Sequence, residues 1–283
     1  MENCELRILN SEFSVPNSTH KLARQVRFSI NPFLPEDCAG SNSFASKPAG
    51  EGLSMFLELS VELRGDIAPD TGFVVNVVDI DRNVREFVVP LFAERIKHDY
   101  NLARHVGLSV MAELLRSAWS RLSDKFGPVR LSKLSLKLNP FRRIAISSGD
   151  TAMVYFCEKF EFAAMHKLWN DDFSERKNFE VFGKCANPAG HGHNYIVEVA
   201  IKMPASRDDF CIGDFEGIVD SELIKLLDHK NLNSDVEQFS RSNPTIENIA
   251  VFAWNRLTDK FADASLHRVT VWETDKTYCT YYG

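Results

Sequence analysis

The feature that most constrains how this chain can fold is that it repeats itself. Ala118-Trp119-Ser120-Arg121-Leu122-Ser123-Asp124-Lys125-Phe126 returns as Ala253-Trp254-Asn255-Arg256-Leu257-Thr258-Asp259-Lys260-Phe261. In the same order, Pro48-Ala49-Gly50-Glu51-Gly52-Leu53 parallels Pro188-Ala189-Gly190-His191-Gly192-His193, and Asn101-Leu102 parallels Asn231-Leu232. A self-similar chain is expected to form two copies of one supersecondary unit, here about 140 residues each. The units are 1–147 and 151–283, and the join Ser147-Ser148-Gly149-Asp150 is small and polar, as a linker should be.

Within each unit the hydrophobic period changes along the sequence. Val154 to Phe162 and Tyr195 to Met203 are rich in β-branched and aromatic residues that alternate, which predicts strands with one buried face. Asp214 to Leu227 and Thr245 to Phe261 carry apolar residues at helical spacing, the second behind Asn243-Pro244-Thr245, a helix-start signal. Arg268 to Trp272 and Tyr278 to Tyr282 return to alternation, giving β-β-α-α-β-β. The first unit repeats the order, with strands near Arg24 to Ile30 and Met55 to Leu63, helices near Val78 to Phe92 and Leu108 to Phe126, and strands near Leu131 to Leu138 and Arg142 to Ile146. The class is α+β, two tandem units that each cover a four-stranded antiparallel sheet with two helices. Such a unit leaves a sheet face and two edges to be satisfied, so pairing of several units is expected.

Composition fits this reading: 44% hydrophobic and 25% charged residues suit a globular chain of 283 residues. The formal charge of -6 is spread along the chain, which argues against a nucleic-acid footprint or a polybasic membrane patch. Met1-Glu2-Asn3-Cys4-Glu5 lacks the basic, then apolar, character of a secretory signal. No apolar run approaches the roughly 20 residues that span a bilayer. Six scattered cysteines then read as reduced thiols, and the cytoplasm is the expected compartment.

Chemistry concentrates in the second unit. His191-Gly192-His193 lies just before a strand, and two histidines one residue apart on an extended chain project to the same side. His166 ends the preceding strand and lies beside the pair if the two strands are neighbours. Three neutral imidazoles would supply a zinc site with one open position. Cys185, six positions before His191, stands in the loop Gly183-Lys184-Cys185-Ala186-Asn187-Pro188, where the lysine could favour a thiolate acting as nucleophile or base. Asp228-His229 ends a helix, and an aspartate beside a histidine orients the imidazole and raises its basicity. Glu273, in the apolar strand Val269-Thr270-Val271-Trp272-Glu273, could be solvated or could accept two hydrogen bonds from a guanidine-like ligand edge.

Four motifs in order, Cys185-x5-His191-Gly192-His193-Asn194-Tyr195, Leu227-Asp228-His229-Lys230-Asn231-Leu232, Pro244-Thr245-Ile246-Glu247-Asn248-Ile249-Ala250 and Trp272-Glu273-Thr274, resemble the 6-pyruvoyl tetrahydropterin synthase family. The resemblance covers essentially all of 153–283. It implies the tunnelling fold (T-fold), whose sheets join side by side into a barrel, with active sites at subunit interfaces. It further implies that His166, His191 and His193 bind zinc, that Cys185 is the general base and that Asp228 with His229 completes a proton relay. Glu273 would anchor the pterin ring, with Thr245 as a further substrate contact; Ile246 stands where a second threonine is common in animal members. The implied reaction is that of a lyase of tetrahydrobiopterin biosynthesis: 7,8-dihydroneopterin triphosphate becomes 6-pyruvoyl-tetrahydropterin with loss of triphosphate. The related 6-carboxy-tetrahydropterin synthases of the queuosine pathway act on the same substrate but usually place the cysteine four residues before the first metal histidine. The longer spacing here favours the pyruvoyl type. A non-catalytic pterin- or metal-binding module is the alternative of a different class.

The first unit resembles the same family at Gly65-Asp66-Ile67-Ala68-Pro69-Asp70-Thr71-Gly72, yet its constellation is erased. Glu51 and Leu53 stand opposite His191 and His193, Ala45 opposite Cys185, His98-Asp99 opposite Asp228-His229, and Leu138 opposite Glu273. Leucine cannot bind zinc and alanine cannot take a proton, so this unit is expected to be silent. His20 reads as a remnant of the first ligand. With the family hexamer as template, three two-unit chains would form a pseudo-hexameric homo-oligomer with one active site per chain, a dimer of such trimers being the fallback.

Overall fold

The computed structural model describes residues 20–33, 54–207 and 209–283. Ala45 and the Pro48 to Leu53 stretch, set above against Cys185 and the histidine pair, lie outside the described residues.

Strands β1 (His20–Ile30) and β2 (Met55–Gly65) are followed by helices α1 (Val77–Asn83), α2 (Val89–Asn101) and α3 (Leu108–Leu122), then by β3 (Arg130–Lys137) and β4 (Arg142–Ser147). A π turn, Val84–Val88, carries α1 directly into α2. The second half opens with β5 (Asp150–His166), α4 (Glu175–Phe182) and β6 (His191–Pro204). Helix α5 (Ile212–Val219) runs through a π turn, Asp220–Ile224, into α6 (Lys225–Leu227). The chain ends with β7 (Lys230–Asn231), α7 (Leu232–Asp235), α8 (Ile246–Leu257), β8 (Ser265–Thr274) and β9 (Thr277–Tyr281).

All the described strands join one sheet in the order β1-β2-β3-β4-β5-β6-β8-β9, with β7 added beside β5. Every neighbouring pair on that path is antiparallel, so β1, β3, β5 and β8 run one way and β2, β4, β6 and β9 the other. The stretch read as a linker is in fact the turn of a hairpin: Ser147 pairs with Asp150 and the ladder continues from β4 into β5. The seam is also tied by side chains, because buried Glu198 on β6 receives Arg143 of β4 at 2.6 Å and Arg268 of β8.

Helices cover one face of the sheet. On α3 the buried residues Leu108, Met111, Ala112, Leu115, Ala118 and Leu122 follow the three-to-four spacing of an apolar stripe. On α8 the corresponding stripe is Ile249, Ala250, Ala253 and Leu257. The repeated Ala-Trp-x-Arg-Leu motif thus places Ala118 and Leu122, and Ala253 and Leu257, on buried helix faces. Beneath them lie Val26, Phe28, Leu59, Leu134 and Ile144 in one half, and Val154, Phe156, Val197, Val199 and Val269 in the other. Each such side chain contributes about 1.5–3 kcal/mol by burial.

Strand register overturns one expectation. His166 ends β5 opposite His191, whereas His20 begins β1 opposite Gly65, at the far end of its hairpin. His20 is therefore not a remnant of the ligand at His166; Ile30, opposite Met55, occupies the matching end. Among the described residues no helix is long and apolar enough to cross a membrane.

Candidate metal centre and catalytic cleft

The β5–β6 ladder pairs His166 with His191 and Ala164 with His193, which brings three imidazoles together at one end of the sheet. One ring nitrogen from each lies within 4.8 Å of the others, and the Nε2 atoms of His166 and His191 are 3.0 Å apart. His166 is only 1% exposed, and its Nδ1 lies 2.8 Å from the Pro244 carbonyl, to which it donates. That bond fixes the tautomer and leaves the Nε2 lone pair facing the other rings, the usual outer-shell arrangement of a metal-binding histidine. Nδ1 of His191 and Nε2 of His193 are buried without a hydrogen-bond partner. Unpaired buried polar atoms cost about 1–3 kcal/mol each, so the cluster is poised for something it does not find among the described residues. Burial, and then the neighbouring imidazoles, hold His166 and His191 below the ordinary histidine range and therefore neutral. Three imidazole donors, on rings that carry two buried nitrogens with no hydrogen-bond partner among the described residues, fit a divalent ion of zinc type.

Backbone geometry holds the cluster in place. Asn233 accepts from Lys167 N at 2.7 Å and donates to Lys167 O at 2.9 Å, extending the ladder one residue past His166. Gly190, at φ +70°, precedes His191; a Cβ there would stand 3.0 Å from the His166 carbonyl and 3.0 Å from Met165 Cε. Gly190→Ala is expected to cost about 1–3 kcal/mol through the left-handed conformation alone. It should also weaken zinc binding by pushing on His166, which thermal melts with and without zinc would measure.

Glu273, near the end of β8, points its carboxylate at the same place: Oε1 is 3.4 Å from His166 Nε2 and 3.5 Å from His193 Nε2. These separations are electrostatic contacts rather than strong hydrogen bonds. Cys185 lies in a short turn, Gly183–Ala186, whose Cys185 carbonyl accepts from Leu168 N at 2.9 Å, tying the loop to the chain that leaves β5. Its half-buried thiol is pushed up, by burial first and then by the charge of Glu273. The thiolate favoured by Lys184, expected from sequence, is thus replaced by a thiol whose electrostatic neighbour is the glutamate.

Asp228 and His229 form a dyad beside β5. That strand outruns β4, and its free edge at Ala163 is taken up by the dyad: Ala163 N donates to Asp228 Oδ1 at 2.9 Å and Ala163 O accepts from His229 N at 2.6 Å. The other carboxylate oxygen lies 2.9 Å from His229 Nδ1. The Ala163 amide first, and His229 second, hold the Asp228 carboxyl below its usual range. His229 adopts φ +55°, a strained position for a non-glycine residue, and its side chain is 83% exposed. It lines an open cleft of about 600 Å³ together with His193, Asn194 and Met165. Thr245 is placed differently from the others: its hydroxyl caps α8 by accepting from Asn248 N at 3.3 Å, one residue after the carbonyl that holds His166.

Sequence reasoning missed Asn233, the Pro244 carbonyl that accepts from His166 Nδ1, and the helix α4 between His166 and Cys185. It also missed Tyr195 as a wall of the site, a fully buried ring stacked on Phe162 at 5.0 Å. The cue for α4 was Ser174, whose side chain caps it by accepting from Lys177 N.

Comparison with known proteins places this geometry among relatives. The family model described as 6-pyruvoyl tetrahydropterin synthase matches residues 155–283. The 6-pyruvoyl tetrahydrobiopterin synthase of Homo sapiens is 37% identical over 138 residues, covering 48% of this chain and 95% of that protein. That of Drosophila melanogaster is 36% identical over 135 residues, covering 46% and 80%. Among solved structures, the Caenorhabditis elegans 6-pyruvoyl tetrahydropterin synthase is similar at 32% identity and a TM-score of 0.43, covering 46% of this chain and 96% of that one.

Proposed function

The chain belongs to the 6-pyruvoyl tetrahydropterin synthase family, and on that premise we propose that its C-terminal half is a zinc-dependent 6-pyruvoyl-tetrahydropterin synthase. Its substrate is 7,8-dihydroneopterin triphosphate, and triphosphate is the leaving group. One observation carries the reading: three imidazoles converge with two buried ring nitrogens that have no hydrogen-bond partner among the described residues.

Held by His166, His191 and His193, zinc would polarise the substrate side-chain oxygens and acidify the adjacent C–H bonds. The remaining steps belong to the chain. Asp228, kept ionised by the Ala163 amide, holds the Nδ1 proton of His229 and leaves Nε2 to exchange protons on the cleft side. Cys185 acts as the second proton-transfer group. Glu273 and Thr245 hold the pterin, and a glutamate occupied by two ring N–H groups no longer repels a thiolate at Cys185. Substrate binding thereby prepares the base.

The chain is read as two tandem tunnelling-fold units, 1–147 and 151–283, of which the first is catalytically silent. In support, the first half runs β-β-α-α-β-β, the second half keeps that order with α4, β7 and α7 added, and both interrupt the first long helix after the second strand with a π turn. In the first half His98 and Asp99 lie inside α2, with Asp99 buried against Arg95 at 2.6 Å, and make no exposed dyad.

Incubation with 7,8-dihydroneopterin triphosphate and identification of the product tests the assignment. A 6-pyruvoyl product is expected; a 6-carboxy product overturns the pyruvoyl assignment, and zinc binding without turnover favours a binding module. Asp228→Asn should lower kcat about 10²-fold or more, since the amide can present N–H where His229 needs an acceptor, with little change in zinc content. Steady-state kinetics beside metal analysis checks this.

A further inference from the structure

We propose that Asn243 is a positioning residue for the metal centre: its side chain holds the turn that aims the Pro244 carbonyl at His166. The inference rests on the reading of the three imidazoles as a zinc site and concerns how one of them is held ready.

In the sequence Asn243-Pro244-Thr245 is a helix-start signal, yet the structure gives the cap of α8 to Thr245, whose hydroxyl accepts from Asn248 N. The Asn243 side chain is left for another partner, and that partner is distant in sequence. Its Oδ1 accepts from Trp169 N at 2.8 Å, three residues past His166. The Asn243 carbonyl accepts from Thr245 N at 2.9 Å and from Asn248 Nδ2 at 2.8 Å. The first of these bonds closes a three-residue turn around Pro244, a shape that suits the fixed φ of proline. The Pro244 carbonyl takes no part in that closure and accepts from His166 Nδ1 at 2.8 Å. Proline has no N–H with which to anchor itself, so the turn is held from its two ends. Thr245 holds one end as the start of α8, and the Asn243 side chain holds the other.

The chain leaving β5 is caught at four consecutive amides: Lys167 by Asn233, Leu168 by the Cys185 carbonyl, Trp169 by Asn243 and Asn170 by Asn178. Of these catches, the one at Trp169 fixes the residue beside the carbonyl that holds His166. The aim of that carbonyl matters because Nδ1 of His166 has a second neighbour, the Tyr195 hydroxyl at 3.4 Å. A hydroxyl can donate as well as accept. With the carbonyl in place, the ring proton sits on Nδ1 and Nε2 keeps its lone pair for a metal. With the carbonyl displaced, Tyr195 can donate to Nδ1, which moves the proton to Nε2 and blocks that nitrogen.

The first half supplies an internal comparison. Setting Ala118 against Ala253 puts Leu108, Ser109 and Val110 where Asn243, Pro244 and Thr245 stand. There α3 has already begun at Leu108, and Gly107 before it offers no side-chain cap. The half with Ile30 at the end that His166 occupies in the other thus lacks the turn as well.

The test uses the full chain and needs no substrate. In the metal-free protein, nitrogen-15 spectra of the His166 ring should place the proton on Nδ1. Asn243→Ala should move a measurable share of it to Nε2 and raise the zinc dissociation constant about 10- to 100-fold, the usual cost of losing an outer-shell partner. Asn243→Asp keeps an oxygen for Trp169 N and should hold the tautomer, with zinc affinity within about threefold of the parent. Asn178→Ala loosens the same segment one residue further on and should leave the tautomer unchanged. Asn243→Leu, which keeps the volume and removes the acceptor, gives the same readouts should the smaller side chain unsettle the fold. An unaltered tautomer and zinc affinity in Asn243→Ala overturns the proposal, as does an equal loss in Asn243→Asp or an equal tautomer shift in Asn178→Ala. A parent that binds no zinc but shows the tautomer change in Asn243→Ala overturns the metal reading and leaves the positioning role standing.

Discussion

Replacing His191 and His193 together by alanine is expected to remove zinc binding and to lower turnover on the order of a thousandfold or more, the several kcal/mol that metal polarisation supplies. The same variant should leave the metal-free protein as stable as the parent, or more stable. The reason lies in two nitrogens: Nδ1 of His191 and Nε2 of His193 are buried with no hydrogen-bond partner among the described residues, and alanine removes that penalty. His166 keeps its own bond to the Pro244 carbonyl and does not depend on the pair for orientation. Zinc should raise the melting temperature of the parent by mass action and leave that of the variant unmoved. Thermal melts across a zinc titration, beside metal analysis, check both halves of the prediction. If the histidines were structural, the variant would instead be destabilised in the absence of metal.

Cys185→Ala is expected to lower kcat about 10²- to 10⁴-fold while zinc content stays at the parent level, because the proposed function makes the thiol a proton-transfer group and not a ligand. Cys185 is absent from the imidazole cluster, and its electrostatic partner is Glu273 rather than the rings. Loss of zinc in this variant would assign the thiol to the metal instead. Steady-state kinetics together with zinc analysis of the same preparation distinguishes the outcomes. Glu273→Gln should by contrast raise KM more than it lowers zinc content, since it weakens the ring contact and removes the charge that holds the thiol up.

Much of this architecture is legible in the residues themselves. Alternation in Tyr195 to Met203 and the three-to-four spacing in Ile249, Ala250, Ala253 and Leu257 are direct records of one-sided burial, and the structure realises them as β6 and α8. The histidine pair was legible for the same reason: extended backbone puts positions 191 and 193 on one side, and pairing with β5 supplies 166. What escaped the sequence is what depends on pairing partners. Ser147 to Asp150 has the composition of either a linker or a hairpin turn, and only the ladder on both sides makes it the latter. His20 looks equivalent to His166 by order along the chain, but register puts it at the wrong end of its strand. The raised Cys185 thiol could not be read from Lys184 next to it, because it comes from burial first and then from the charge of Glu273, 88 positions away in sequence. Asn233 and Pro244 act through a main-chain clamp and a carbonyl, for which side-chain identity carries almost no signal.

Metal analysis coupled to triphosphate release tests the central claim most directly. The account predicts one zinc per chain, held by the second half alone, with triphosphate release lost on chelation and restored by zinc. Full release of triphosphate from 7,8-dihydroneopterin triphosphate by the zinc-free chain would contradict it.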